Sequence, residues 1–108
     1  MNIPNKLKVG GRVYTVNVTP RLFLGCQCSA EILYSDLQIN ITPQAPEKME
    51  GDLLHEMVHA IFAHLGYQEH DEQEVEAIAQ ALQMVINDNP KVFAPRESKA
   101  SREKASRK

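Results

Sequence analysis

His55-Glu56-Met57-Val58-His59 is the stretch of this chain whose residue types and spacing could do chemistry. On a helix, side chains four apart stand on one face, so the two imidazoles can grip a single metal ion. Glu56 then lies about 100° round the helix from His55 and about 60° from His59. That is close enough to hold a water at the metal without being a ligand. Two imidazole ligands, an open coordination position and a carboxylate base are the parts that metal-assisted hydrolysis needs.

A helix must present these groups, and the surrounding sequence predicts one. It begins near Pro46 or Glu47, with proline and acid in its first turn, and stops at Gly66. Leu54, Val58, Ile61, Phe62 and Leu65 form one apolar stripe. His55 and His59 flank that stripe, which places them at the edge of the core, facing a cleft. A second helix is predicted over about Glu72–Asn87, with Val75, Ile78, Ala79, Leu82, Val85 and Ile86 inward and Asn89-Pro90 ending it.

Catalytic zinc usually takes three protein ligands and a water. His64 lies about 140° from His59 on the same helix and faces away. A metzincin would need glycine and histidine three and six residues after His59, where this chain has Phe62 and Leu65. The second helix offers Glu74 and Glu76. Glu74 shares a stripe with Ile78, Leu82 and Val85 and borders the expected inner face, whereas Glu76 continues through Gln80, Gln83 and Asn87. The pattern prefers Glu74, with Glu76, His70 and Asp71 as alternatives.

The first half of the chain reads as strands. Leu7–Val18 is a hairpin turning on Gly10-Gly11. Cys26–Leu33 and Leu37–Thr42 read as two more strands with a turn near Tyr34–Asp36. In the latter, Leu37, Ile39 and Ile41 alternate with Gln38 and Asn40, the pattern of a half-buried strand. Cys26 and Cys28 are the only cysteines. A C-x-C pair closes too small a ring for an ordinary structural disulfide, so free thiols packing as small apolar groups in a reducing, cytoplasmic compartment fit best.

The chain of 108 residues suits one small domain, over residues 1–92, followed by a tail. Residues 1–90 carry 5 basic and 12 acidic side chains, and residues 91–108 carry 7 basic and 2 acidic. The tail, 93–108, is rich in Lys, Arg, Ser and Ala and reads as disordered. Its charge suits nucleic acid or an acidic partner, or simply solubility. No run approaches a membrane span, and no signal-peptide core is evident.

Leu53-Leu54-His55-Glu56-Met57-Val58-His59-Ala60, followed by Glu74-Val75-Glu76-Ala77, resembles the ImmA/IrrE-type metallopeptidases and the small phage and bacterial zincin-like proteins related to them. These are gluzincin-like, with H-E-x-x-H on one helix and a glutamate ligand from an E-x-x-A on the next. The likeness covers about residues 6–88 and includes the Lys8–Tyr14 hairpin. Many of these relatives have asparagine after E-x-x-A, where this chain has Ile78. Both Glu74 and Glu76 can open an E-x-x-A, so the resemblance leaves the ligand open. It implies an α+β zincin-like fold: a three- to four-stranded, mainly antiparallel sheet packed on the two helices. It also implies a Zn2+-dependent hydrolase acting on a protein or peptide substrate, with Glu56 as general base. A zincin-derived module that holds metal and regulates a partner without cleaving it is a second expectation. His55, His59 and His70, with Leu65-Gly66-Tyr67, are also similar to the three-histidine motif of the YbeY-type endoribonucleases. There the third histidine follows six residues after the second; here it follows eleven, and Glu56 stands where those enzymes have glycine.

Overall fold

The computed structural model describes residues 2–24 and 28–93. Its elements are β1 (Lys6–Val9), β2 (Arg12–Val18), β3 (Ala30–Leu33), β4 (Gln38–Ile41), α1 (Pro46–His64) and α2 (Glu72–Asp88), an α+β chain. The β1–β2 hairpin forms where glycine permits it. Gly10 and Gly11 sit at φ 58° and 86°, the left-handed region that a two-residue primed turn demands. At Gly10 a Cβ would also collide with the His64 ring, so the hairpin tip lies against the last turn of α1.

The sheet order is β1-β2-β4-β3. The outer pairs are antiparallel, but β2 and β4 run parallel, from Thr15 beside Gln38 to Val18 beside Ile41. The four-stranded sheet is thus mainly antiparallel, as expected, and mixed through its one parallel pair. β3 is also shorter than its sequence suggests. It starts at Ala30; Cys28 precedes it and is exposed, and Cys26 lies outside the described residues.

β4 departs from simple alternation. Ile39 and Ile41 are fully buried, and so is Asn40 between them. Asn40 donates to Glu31 Oε2 at 2.8 Å and accepts from Asn17 Nδ2 at 3.0 Å. Glu31, itself buried, also accepts the backbone N–H groups of Phe23 and Leu24, each at 2.8 Å. Burial alone would raise the Glu31 pKa, but these three donors outweigh it and hold the carboxyl below 4.5. Its stabilisation is thus complete above pH 4.5 and is lost as pH falls through the lower folded value. Glu31→Ala leaves three donors unmatched, an expected loss of about 2–4 kcal/mol in urea unfolding at pH 7. A loss under about 0.5 kcal/mol would show that water replaces the carboxylate.

α1 starts on Pro46 and ends in a Schellman turn. Gly66 at φ 92° lets Tyr67 N–H reach Phe62 O and Gly66 N–H reach Ala63 O, while the Phe62 and Tyr67 rings pack 5.7 Å apart. Asp71 caps α2, its carboxylate accepting from the backbone N–H of Gln73 and Glu74. α2 packs antiparallel on α1 and touches no strand, with Gln83 near Glu47 and Glu50, and Glu76 and Glu72 near His55 and His59. The expectation that both helices lie on the sheet is corrected: α1 is a middle layer. Leu53 and Ala60 pack with Tyr14, Val16, Ile39 and Ile41, while Leu54 and Val58 pack with Val75 and Ala79. Leu65, expected on a single inward stripe, is exposed. No helix among the described residues is long and apolar enough to cross a membrane.

Candidate metal centre

Because α1 is covered on two sides, only a narrow face of it stays open. Passing round the helix from the sheet side to the α2 side, at about 100° per residue, one meets Leu53, Glu56, Asp52, His59, His55 and then Val58. The polar four therefore line a cleft between β3 and the start of α2. It is a cavity of about 680 Å³ whose walls include Ala30, Ile32, Tyr34, Glu72 and Glu76.

His55, His59 and Glu72 converge there, each offering one ligand atom, all within 4.8 Å of one another. Glu72 reaches over from α2, with Oε1 3.0 Å from His59 Nε2 and Oε2 3.1 Å from His55 Nε2. Outer groups orient both rings. His55 Nδ1 lies 3.0 Å from Glu76 Oε2, and His59 Nδ1 lies 2.8 Å from His70 Nδ1. His70 Nε2 lies 2.8 Å from Tyr67 O, which can only accept. In the tautomer with one proton on each ring, His70 donates from Nε2 and receives a proton from His59 Nδ1. That leaves the His59 Nε2 lone pair facing the Glu72 carboxylate. Burial keeps the His59 pKa below 6.5 despite the opposing pull of Glu72, so a second proton does not fill the gap at neutral pH. A metal cation satisfies all three groups, and a two-imidazole, one-carboxylate set suits zinc. His70→Ala is expected to weaken zinc binding about 10-fold or more in chelator competition, the usual cost of losing an outer-shell partner. Unchanged affinity would mean that His70 does not set the His59 tautomer.

Glu56 is 5% exposed and has no hydrogen-bond partner among the described residues. Its carboxylate is left to the cleft. Burial pushes its pKa up to about 7; the His55 charge opposes this, while Glu72, Asp52 and Glu31 add to it. A carboxylate so poised, beside an open metal position, is suited to taking a proton from water near neutral pH.

The structure brings His55, Glu56 and His59 together and adds Glu72, which the sequence pattern did not single out. Glu74 is exposed and lies outside this group. Asp71 is the α2 cap, and Glu76 and His70 stand behind the two imidazoles. The reason is angular. With Ile78 and Val85 counted inward, the inner face tilts toward Glu74; in the structure both are about two-fifths exposed. The face that α1 covers is centred on Val75 and Ala79, which puts Glu72 about 40° from its centre and Glu74 about 120° away on the other flank. Among the described residues, Tyr34 is a second group missed by sequence reasoning, because nothing about a tyrosine in a β-turn signals a cleft.

A second cavity of about 590 Å³, lined by Tyr67, Gln68 and His70 among others, adjoins the first. The two share Tyr34, His59 and Glu72. Comparison with family models, with curated proteins and with solved structures returns no match.

Proposed function

We propose that this chain is a zinc-dependent peptide hydrolase of zincin-like design, as its resemblance to the ImmA/IrrE-type metallopeptidases also suggests. The observation that carries the reading is the convergence of His55, His59 and Glu72 in a cleft that Glu56 also lines. Zinc held there would supply a Lewis acid and lower the pKa of water toward neutrality. Glu56 accepts the proton of the attacking water and passes it to the leaving amine. β3 is an edge strand whose residues line the cleft, so an extended peptide can pair along it.

Tyr34 lines both cavities. Burial, with Glu56, Tyr14 and Glu72 nearby, pushes its phenol up to about 12. It stays protonated and can donate to the carbonyl oxygen as charge develops there. The other cleft groups are less suited: Tyr67 packs on Phe62, and both His70 nitrogens are engaged. Tyr34→Phe is expected to cut kcat about 100-fold while zinc content and KM change little. An unchanged kcat would remove Tyr34 from the reaction.

An acidic cleft repels polyanions, which counts against the endoribonuclease reading. The direct test is reconstitution with zinc followed by assay on a mixed peptide library. About one zinc per chain is expected, with cleavage that a chelator stops and added zinc restores. A library left intact by fully zinc-loaded protein would overturn the proposal.

A further inference from the structure

We infer that the cleft selects cationic peptides, with lysine or arginine flanking the cleaved bond; this rests on the hydrolase reading above. The group formed by His55, His59 and Glu72, with Glu56 in the same cleft, defines where a substrate must lie. The charge around that place defines which substrates can approach it. The cleft is lined by Glu31, Asp52, Glu56, Glu72 and Glu76 against one cation, Lys48. A divalent metal ion would leave this wall net negative by one charge with Glu56 protonated and by two with it ionised, so the excess survives loading in either state.

Lys48 does not act as a free counter-charge. Its Nζ lies 2.6 Å from Asp52 Oδ1 and 3.1 Å from Ser29 Oγ, at one end of the cleft. At the other end Glu72 and Glu76 are substantially exposed along the rim. The field also extends beyond the walls. From Pro46 to Pro90, the segment that builds both helices of the site, the chain has ten acidic residues and a single lysine, Lys48, with no arginine. Such a one-signed cleft concentrates cationic chains and turns anionic ones away. The backbone of an extended peptide on β3 carries no net charge of its own, so its side chains decide. Residues 91–108 of this chain are themselves net basic; they are present in every variant compared below and cancel from the comparison.

The test uses three fluorescent decapeptides with one shared apolar centre and Lys/Arg, Gln or Glu flanks. Binding is read by anisotropy on zinc-loaded Glu56→Gln protein, and cleavage by mass spectrometry on zinc-loaded wild type. The basic peptide is expected to bind at least about 10-fold tighter than the Gln peptide at 20 mM salt. The gap should shrink several-fold at 200 mM, where screening is stronger. Lys48→Gln should tighten basic-peptide binding and Asp52→Asn should loosen it, each by a larger factor than it changes binding of the Gln peptide. Equal binding of basic and Gln peptides, or cleavage blind to charge, overturns the inference and leaves the hydrolase standing. Selective binding of the basic peptide without cleavage by wild type overturns the hydrolase and leaves the charge selection standing.

Discussion

Glu56→Gln is expected to keep about one zinc per chain and to lose peptide hydrolysis by about 1,000-fold, within the range that a lost general base typically costs. The two outcomes belong together. Glu56 lies outside the group formed by His55, His59 and Glu72, so its charge is not needed to hold the ion. Its position on α1, between the sheet-facing Leu53 and His59, would put the carboxylate beside the open coordination position of an ion held there. Glutamine keeps the shape and removes the basicity. A variant that retains hydrolysis would show that another group takes the proton.

The same substitution carries a second, opposite effect on the metal-free protein. The Glu56 pKa rises from 4.5 to about 7 on folding. The folded state therefore binds the proton more tightly than the unfolded chain. Ionisation costs stability progressively as pH rises from 4.5 to 7, and the full cost is present above that. A shift of this size corresponds to about 3 kcal/mol. Metal-free Glu56→Gln should thus melt higher than metal-free wild type at pH 8, by roughly 10–20 °C for a domain of this size. The difference should vanish near pH 4.5. Zinc should narrow it, since a nearby cation favours the carboxylate. A lower melting temperature for the variant at pH 8 would show that Glu56 is not held under strain of this kind. A site residue that destabilises its own fold is the expected cost of a base tuned by burial.

How far the sequence alone reached depends on how local each feature is. Pro46, Gly66 and the Gly10-Gly11 turn act through their own backbone, so α1 and the hairpin could be placed from them. The partnership of β2 with β4 is between residues more than twenty apart and is parallel, and no turn signal announces it. The burial of Asn40 needed Glu31 as a partner, and a polar residue in a strand otherwise reads as solvent-facing. At the site, H-E-x-x-H fixed two imidazoles and a base because all three ride on one helix. The third carboxylate belongs to another element, and its choice turned on which side of α2 meets α1. Ile78 and Val85 are apolar yet partly exposed, and they shifted that apparent side toward Glu74.

Substitutions across α2 therefore rank the acids, and a wide spread is expected. Glu72→Ala should weaken zinc binding by well over 100-fold, beyond the roughly 10–100-fold that an outer-shell loss costs. Glu76→Ala should fall within that lower range, because Glu76 reaches only the far nitrogen of His55. Glu74→Ala should leave affinity unchanged. Glu72 is the informative case because its side chain is 70% exposed, yet its two oxygens lie against two imidazole nitrogens. In water, an exposed carboxylate gains at most about 1 kcal/mol from such neighbours, too little to justify the lost rotamer freedom. A bound ion would supply the missing attraction. The loss on Glu72→Ala should accordingly appear in zinc affinity and much less in the stability of the metal-free chain, where a favourable charge in the first turn of α2, about 0.3–1 kcal/mol, and exposed contacts to two imidazoles, at most about 1 kcal/mol, are given up. Chelator competition beside metal-free unfolding separates the two. If Glu74→Ala or Glu76→Ala proves the most damaging to zinc, the ligand set is drawn wrongly. If Glu72→Ala damages the metal-free fold as much as the affinity, Glu72 is holding α2 to α1 and not an ion.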